Sequence, residues 1–250
     1  MIQRIRKTHL WGLMVLLLGM VVATGSVAAA GNEDGRKPRL RHYRVTIVNL
    51  ATGQPISPPV VATHRAYVSM FHAGGLASPE IEALAEDGNQ SLLVAALTGA
   101  HGVTDVVDVG MPLTRHGTTV GDFADSVTIE IAARPGDRLS LAGMLICTND
   151  GFAGLDGVWL PRHGTAVYRA RGYDAGTEEN TERSADIVDP CSALGPVPLP
   201  GDPDGNENVA VNTYPAQYIM RHPGIMGNGD LSAVHDWDGA VLKVFVTRID

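Results

Sequence analysis

The chain has 250 residues, with 19 Lys and Arg against 27 Asp and Glu and a formal net charge of −8. Phosphate recognition draws on clustered Lys and Arg, so this balance argues against nucleic acid as a partner and makes divalent cations the natural counter-charge. The only two cysteines, Cys147 and Cys191, form an even pair, which in an exported protein reads as one disulfide worth about 3–4 kcal/mol.

Export is the expectation from residues 1–30. Arg4, Arg6 and Lys7 form a basic start, Leu10 to Ala23 is a nearly unbroken apolar core, and Ala28 to Ala30 are small residues suited to cleavage before Gly31. That is the pattern of a secretory signal peptide. No later run is long and apolar enough to cross a bilayer as a helix, so no integral membrane segment is expected once the signal is removed. Removing its three positive charges leaves the remainder at −11. Residues 31–42 read as a short polar lead-in. Residues 43–250 are expected to form one domain, secreted or periplasmic.

Along that stretch, Tyr43, Val45 and Ile47 alternate with Arg44 and Thr46 in a strand pattern. Gly53 to Pro59 is a turn, and Val60 to Met70 is a second extended run. Ser78-Pro79-Glu80 is a helix start, with Ser as N-cap and Pro at the first helical position. Ile81, Leu84 and Ala85 give its apolar stripe, and Asn89 to Leu97 reads as a second short helix. Strands resume with Val127, Ile129 and Ile131. Arg134 to Asp137 is a turn, Leu139 to Ile146 a buried strand, Ala166 to Ala170 a short strand, and Ala240 to Ile249 a last strong one. Asp186 to Asn208 has no periodicity and reads as a surface loop. Several short strands separated by turn signals indicate an all-β, antiparallel β-sandwich with one or two short helices in its first half.

Two acidic segments carry the candidate chemistry: TNDGFAGLD, from Thr148 to Asp156, and YDAGTEENTE, from Tyr173 to Glu182. Both are rich in Gly and short polar residues and are expected to be loops. Carboxylates gathered on neighbouring loops repel one another unless a cation lies between them, and Ca²⁺ collects about six to eight oxygens. Asp150, Asp174 and Glu178 are the candidate metal ligands, with Gly176 letting the backbone turn between the last two. Asn149, Asp156, Glu179 and Glu182 are reserves. The spacing fits no EF-hand loop, and solvated loop acids are the alternative reading. Asp202 to Asn208 reads as a turn, with a weak second calcium site as its alternative. The nine histidines show no zinc spacing and are expected at the surface or in caps. No GxSxG elbow is present, and the adjacent His235 and Asp236 single out no serine.

The segments ASPEIEALAEDG, TNDGFAGL, LPRHGTAVYRARGYDAGTEENTE, HPGIMGNGDL and VLKVFVTRI resemble the spondin N-terminal domain family across residues 43–249. The resemblance implies an antiparallel β-sandwich similar to calcium-dependent phospholipid-binding domains. It also implies one bound Ca²⁺, held by Asp150, Asp174 and Glu178, the last standing where animal members have Asp. The expected function is a secreted calcium-binding module for adhesion or matrix attachment, not an enzyme, with an extracellular or surface ligand as partner. The alternatives are an exported hydrolase acting on an extracellular polymer and a calcium-bridged membrane-surface module.

Overall fold

In strand β1 (Arg41–Asn49) the buried residues are Tyr43, Val45, Ile47 and Asn49, alternating with side chains that face outward. This follows from the period-2 geometry of a pleated strand with one face on a core. The computed structural model describes residues 39–199 and 210–250. The expected signal peptide, most of the lead-in and the Asp202–Asn208 turn lie outside the described residues. β1 is paired on both sides, antiparallel, with β6 (Ser126–Ala133) and β11 (Leu242–Arg248). Further round lie β2 (Val60–His64), β3 (Val103–Asp108), β7 (Arg138–Met144), β8 (Gly151–Trp159) and β9 (Thr165–Asp174). The sheet order is β3-β2-β7-β8-β9-β11-β1-β6, every pair antiparallel.

The two ends of this sheet nearly close on each other. The Ala132 N–H donates to Asp105 Oδ2 at 2.8 Å, and Thr63 Oγ1 donates to the Ala132 carbonyl at 2.6 Å. These bonds occupy edge groups that would otherwise be open to pairing with another chain. The result is the expected all-β, sandwich-like architecture. β4 (Thr119–Val120) and β5 (Phe123–Ala124) form a small separate hairpin, and β10 (Met220–Arg221) pairs with the end of β9.

The interior is filled by Tyr43, Val45, Ile47, Leu139, Leu141, Val244 and Val246. A second cluster lies outside the sheet, where helices α1 (Pro79–Asp87) and α2 (Ser91–Leu97) set Ile81, Leu84 and Leu93 against Val60, Ala62, Ala142 and Phe152. α1 starts and stops where its sequence directs. Ser78 caps the Ile81 N–H, Pro79 opens the first turn, and Gly88 ends it at φ 64°. There the Gly88 and Asn89 N–H groups donate to the Leu84 and Ala83 carbonyls at 3.1 and 3.0 Å. A third cluster of Met144, Ile146, Ile187, Val188 and Leu194 surrounds the Cys147–Cys191 disulfide.

Several segments differ from expectation. TNDGFAGLD is not a loop throughout, because β8 begins at Gly151. Its glycines serve close packing: a Cβ on Gly154 would lie 2.7 Å from the Phe71 ring. The Val60–Met70 run is a strand only as far as His64. β3 had no separate expectation, since its residues are half-buried on both faces and show no alternation. The Asp186–Asn208 loop contains a short helix, α3 (Pro190–Leu194).

The disulfide spans a sequence separation of 44. Replacing both cysteines by Ser is expected to lower unfolding free energy by about 3–4 kcal/mol on the chain-entropy model. Urea denaturation of the double variant measures this.

Candidate cation site between β8 and β9

Asp150 directly precedes β8 and is fully buried. Its Oδ2 accepts the backbone N–H groups of Thr177 at 2.8 Å and Glu178 at 3.1 Å, with the Thr177 hydroxyl at 3.3 Å. Its main-chain carbonyl accepts the Ala175 N–H at 3.1 Å. The first acidic segment therefore grips the second directly. Asp150 Oδ1 is buried with no hydrogen-bond partner. A carboxylate oxygen left dry and unpaired is costly.

Asp174 ends β9 opposite Gly151 in the register. Its Oδ1 accepts the Gly176 N–H at 2.8 Å and its Oδ2 accepts from Asn180 Nδ2 at 2.7 Å. This is an Asx-type turn, and it needs Gly176. That residue has φ 73°, and a Cβ there would lie 2.7 Å from the Gln217 carbonyl oxygen. Glu178 Oε1 accepts the Val211 N–H at 3.0 Å, and the residue forms a β-bridge to Asn212. The three predicted ligands are thus brought into one region, each with part of its oxygen set already bonded to the protein.

Charge makes the region unusual. Burial pushes the Asp150 carboxyl up to about 6, with the nearby Asp174 charge adding to the effect. Burial pushes Glu178 up to about 8, aided by Glu86, Asp150 and Asp87. Burial also raises Glu86, a residue of α1 that the sequence did not single out. Its Oε1 is buried without a partner. Among the described residues, no Lys or Arg forms an ion pair with Asp150, Asp174, Glu178 or Glu86. Nor do three or more His, Cys, Asp or Glu side chains group as a formed metal cage would. The donor set nevertheless suits a hard cation, because the dry, unpartnered Asp150 oxygen lacks the positive charge that would stabilise it.

The reserve residues have other roles. Asn149 Oδ1 accepts the Glu182 N–H at 3.2 Å. Asp156 lies well along β8, where its Oδ1 accepts the Met70 N–H at 2.8 Å and a bond from Ser140 Oγ at 3.0 Å. Glu179 is exposed. Glu182 is buried, and its two oxygens accept the N–H groups of Met226 and Asn228, each at 2.6 Å. That clamp accounts for the HPGIMGNGDL segment, which folds around one carboxylate.

Histidines are not confined to the surface. His64, His222 and His235 are all buried. His222 Nδ1 accepts the Gly224 N–H at 3.1 Å, so the neutral ring carries its proton on Nε2, which is buried without a partner. Burial lowers its pKa, against the opposing charges of Asp174, Glu182 and Asp236. His235 meets expectation in one respect, completing a capping box with Ser232. A cleft of about 860 Å³ lies beside the disulfide cluster, walled by Met144, Ile146, Val188 and Leu194. No known family model matches the chain, and no curated protein matches it.

Two outcomes follow from this geometry. Glu178 has a folded-state pKa above its unfolded value, so it binds more protons folded than unfolded between pH 4.5 and about 8. Its contribution is therefore fully present below pH 4.5 and is lost as pH rises through about 8. In chelator, wild-type stability is expected to fall from pH 6 to pH 8.5 by more than that of Glu178→Gln. Paired denaturant titrations read the difference. Glu182→Ala is expected to cost about 3 kcal/mol by removing two charge-assisted acceptors from buried donors. Hydrogen exchange should then show residues 222–231 opening.

Proposed function

We propose that the chain is a secreted calcium-binding β-sandwich module of the spondin N-terminal kind. It attaches to an extracellular or surface ligand and acts by binding rather than by catalysis. The supporting observation is the buried Oδ1 of Asp150, which has no hydrogen-bond partner, beside Asp174 and Glu178, which form no ion pair with Lys or Arg among the described residues. A hard divalent ion would supply the missing positive charge and draw the two segments together.

Asp150, Asp174 and Glu178 would hold the ion. Asp150 offers Oδ1 directly. Each Asp174 oxygen accepts one hydrogen bond and retains a second lone pair. Glu178 Oε2 has no hydrogen bond among the described residues, while Oε1 stays on Val211. Backbone carbonyls and water would complete the shell. The protein's own part is to fix these oxygens in place: the Thr177 and Glu178 N–H groups orient Asp150, and Gly176 and Asn180 orient Asp174.

Extracellular calcium modules bind at about 10⁻⁴–10⁻³ M. Ten-millimolar CaCl₂ should then add roughly 1–3 kcal/mol of stability by linkage, which raises Tm by about 3–8 °C in a domain of this size. Differential scanning calorimetry in CaCl₂ and in EDTA reads the shift. It should vanish in Asp150→Asn and Asp174→Asn and persist in Glu179→Gln. Superimposable wild-type curves with and without calcium would remove the ion from the account.

A further inference from the structure

The outer surface of the sheet is divided. Over β2, β7 and β8 it is covered by α1, α2 and Phe71. Over the first part of β9, as far as Arg171, and over β11, β1 and β6, the outward residues are exposed or half-buried among the described residues, while Tyr173 at the end of β9 lies under Phe71. The outward residues there include Thr46, Thr128, Val167, Arg169, Arg171, Lys243 and Phe245, all exposed or half-buried. The register places Lys243 opposite Arg169 and Phe245 opposite Val167. Arg171 follows two residues along β9 on the same face, and Arg221 pairs across from Tyr173, two residues further still. Neighbouring strands are about 4.8 Å apart, and alternate residues on one strand about 6.7 Å apart. Four cations therefore lie in one narrow strip.

Among the described residues, none of the four is in an ion pair. The acid on this face, Glu130, is at the far corner and is bound to Arg44 at 3.0 Å. Such a cluster stands out in a chain with eight more acidic than basic residues. Unpaired like charges held together on a rigid sheet favour an anionic partner. Beside the cations lie a flat apolar step, where Val167 is 51 % exposed, and the hydroxyl pair Thr46–Thr128 at 2.8 Å. Lys243 Nζ sits 4.8 Å from the Phe245 ring centre, so its charge is held on the face rather than ranging through solvent.

We infer that this bare face binds a linear anionic polysaccharide, with Arg169, Arg171, Arg221 and Lys243 holding its carboxylate or sulfate groups. Charge distribution favours a single chain over a membrane. An anionic bilayer is broad and would also face the acidic remainder of the domain, whereas a polymer strand lies within the strip alone. Sugar rings suit the flat, small-featured step, and their hydroxyls can bond to the threonine pair. The inference rests on the sheet face and not on the calcium reading.

The test is fluorescence anisotropy with labelled heparin and labelled polygalacturonate as probes, in EDTA, with neutral dextran as control. Wild type should bind at least one anionic probe, more weakly as NaCl rises, and should not bind dextran. Arg169→Glu/Arg171→Glu should lose at least tenfold in affinity, Lys243→Gln should lose several-fold, and Arg183→Glu, a change of the same sign off this face, should lose little. All the side chains changed point outward, and unchanged melting curves will verify folding. Three results would overturn the inference: no binding of either anionic probe, equal loss in Arg183→Glu and the double variant, or pelleting with phosphatidylserine vesicles without polysaccharide binding. Binding that appears only with calcium and disappears in Asp150→Asn would place the contact at the acidic site instead.

Discussion

The arrangement depends on one carboxylate taken out of water. Asp150 Oδ2 receives two backbone N–H groups from the Thr177–Glu178 turn, and those donors have no strand or helix partner to serve them. Buried N–H groups must be paired, so the turn can close over the end of β8 only because an acceptor with several lone pairs waits there. The same device recurs outward. Glu178 receives the Val211 N–H, and Glu182 receives those of Met226 and Asn228. Irregular chain that lacks a ladder of its own is thus held by carboxylates acting as substitute carbonyls. This explains why Glu178 and Glu182 are buried where ordinary loop acids, like the neighbouring Glu179, are solvated.

Such clamps exact a cost that neutral acceptors would not. Each ionised carboxylate gives up hydration, and in this region the neighbouring charges are negative too. Asp150, Glu178 and Glu86 all have raised pKa values with burial as the main cause. Glu182 shows that a clamp can be built with both oxygens occupied, since each of its oxygens takes one N–H. Asp150 keeps one oxygen unused and buried. The saturated and the unsaturated clamp meet through Asn149, whose Oδ1 accepts the Glu182 N–H, and the proposed ion belongs to the unsaturated one.

The periodic elements were legible in the sequence. β1, β6, β7, β11 and α1 follow from alternation or from a cap, and the Ser78-Pro79 start and Gly88 stop sit where those residues put them. The antiparallel all-β class follows from the number of such strands. That Asp150, Asp174 and Glu178 carry the acidic region was legible too, though Asp174 ends β9 where a loop was expected. What failed was the reading of TNDGFAGLD as a loop on the strength of its glycines. In β8, Gly154 is there because Phe71 packs against the backbone, and nothing local announces a ring arriving from elsewhere in the chain. Glu86 was missed for a similar reason. It follows Ala85 on a short helix, and only the approach of Thr177 turns a surface position into a half-buried one. His222 likewise becomes buried through Trp237, whose ring centre is 5.1 Å away.

One strand joins the two surfaces, and their separation can be weighed. β9 pairs with β11 through its first part and with β8 through its last, so it turns the corner between the bare and covered halves. Its outward face carries Arg169 and Arg171, and its end carries Asp174. Three residues of strand separate Arg171 from Asp174, a distance of about 10 Å. At that range a pair of unit charges in water interacts by only about 0.4 kcal/mol before salt, and 0.15 M salt screens most of it. A charge change at Asp174 would therefore shift anion affinity through Arg171 by less than twofold, and by less again through Arg169 and Lys243. Arg221, whose partner Tyr173 adjoins Asp174, is the cation of the four placed to sense the acid site. Opposite charges can therefore be concentrated on one small domain without cancelling.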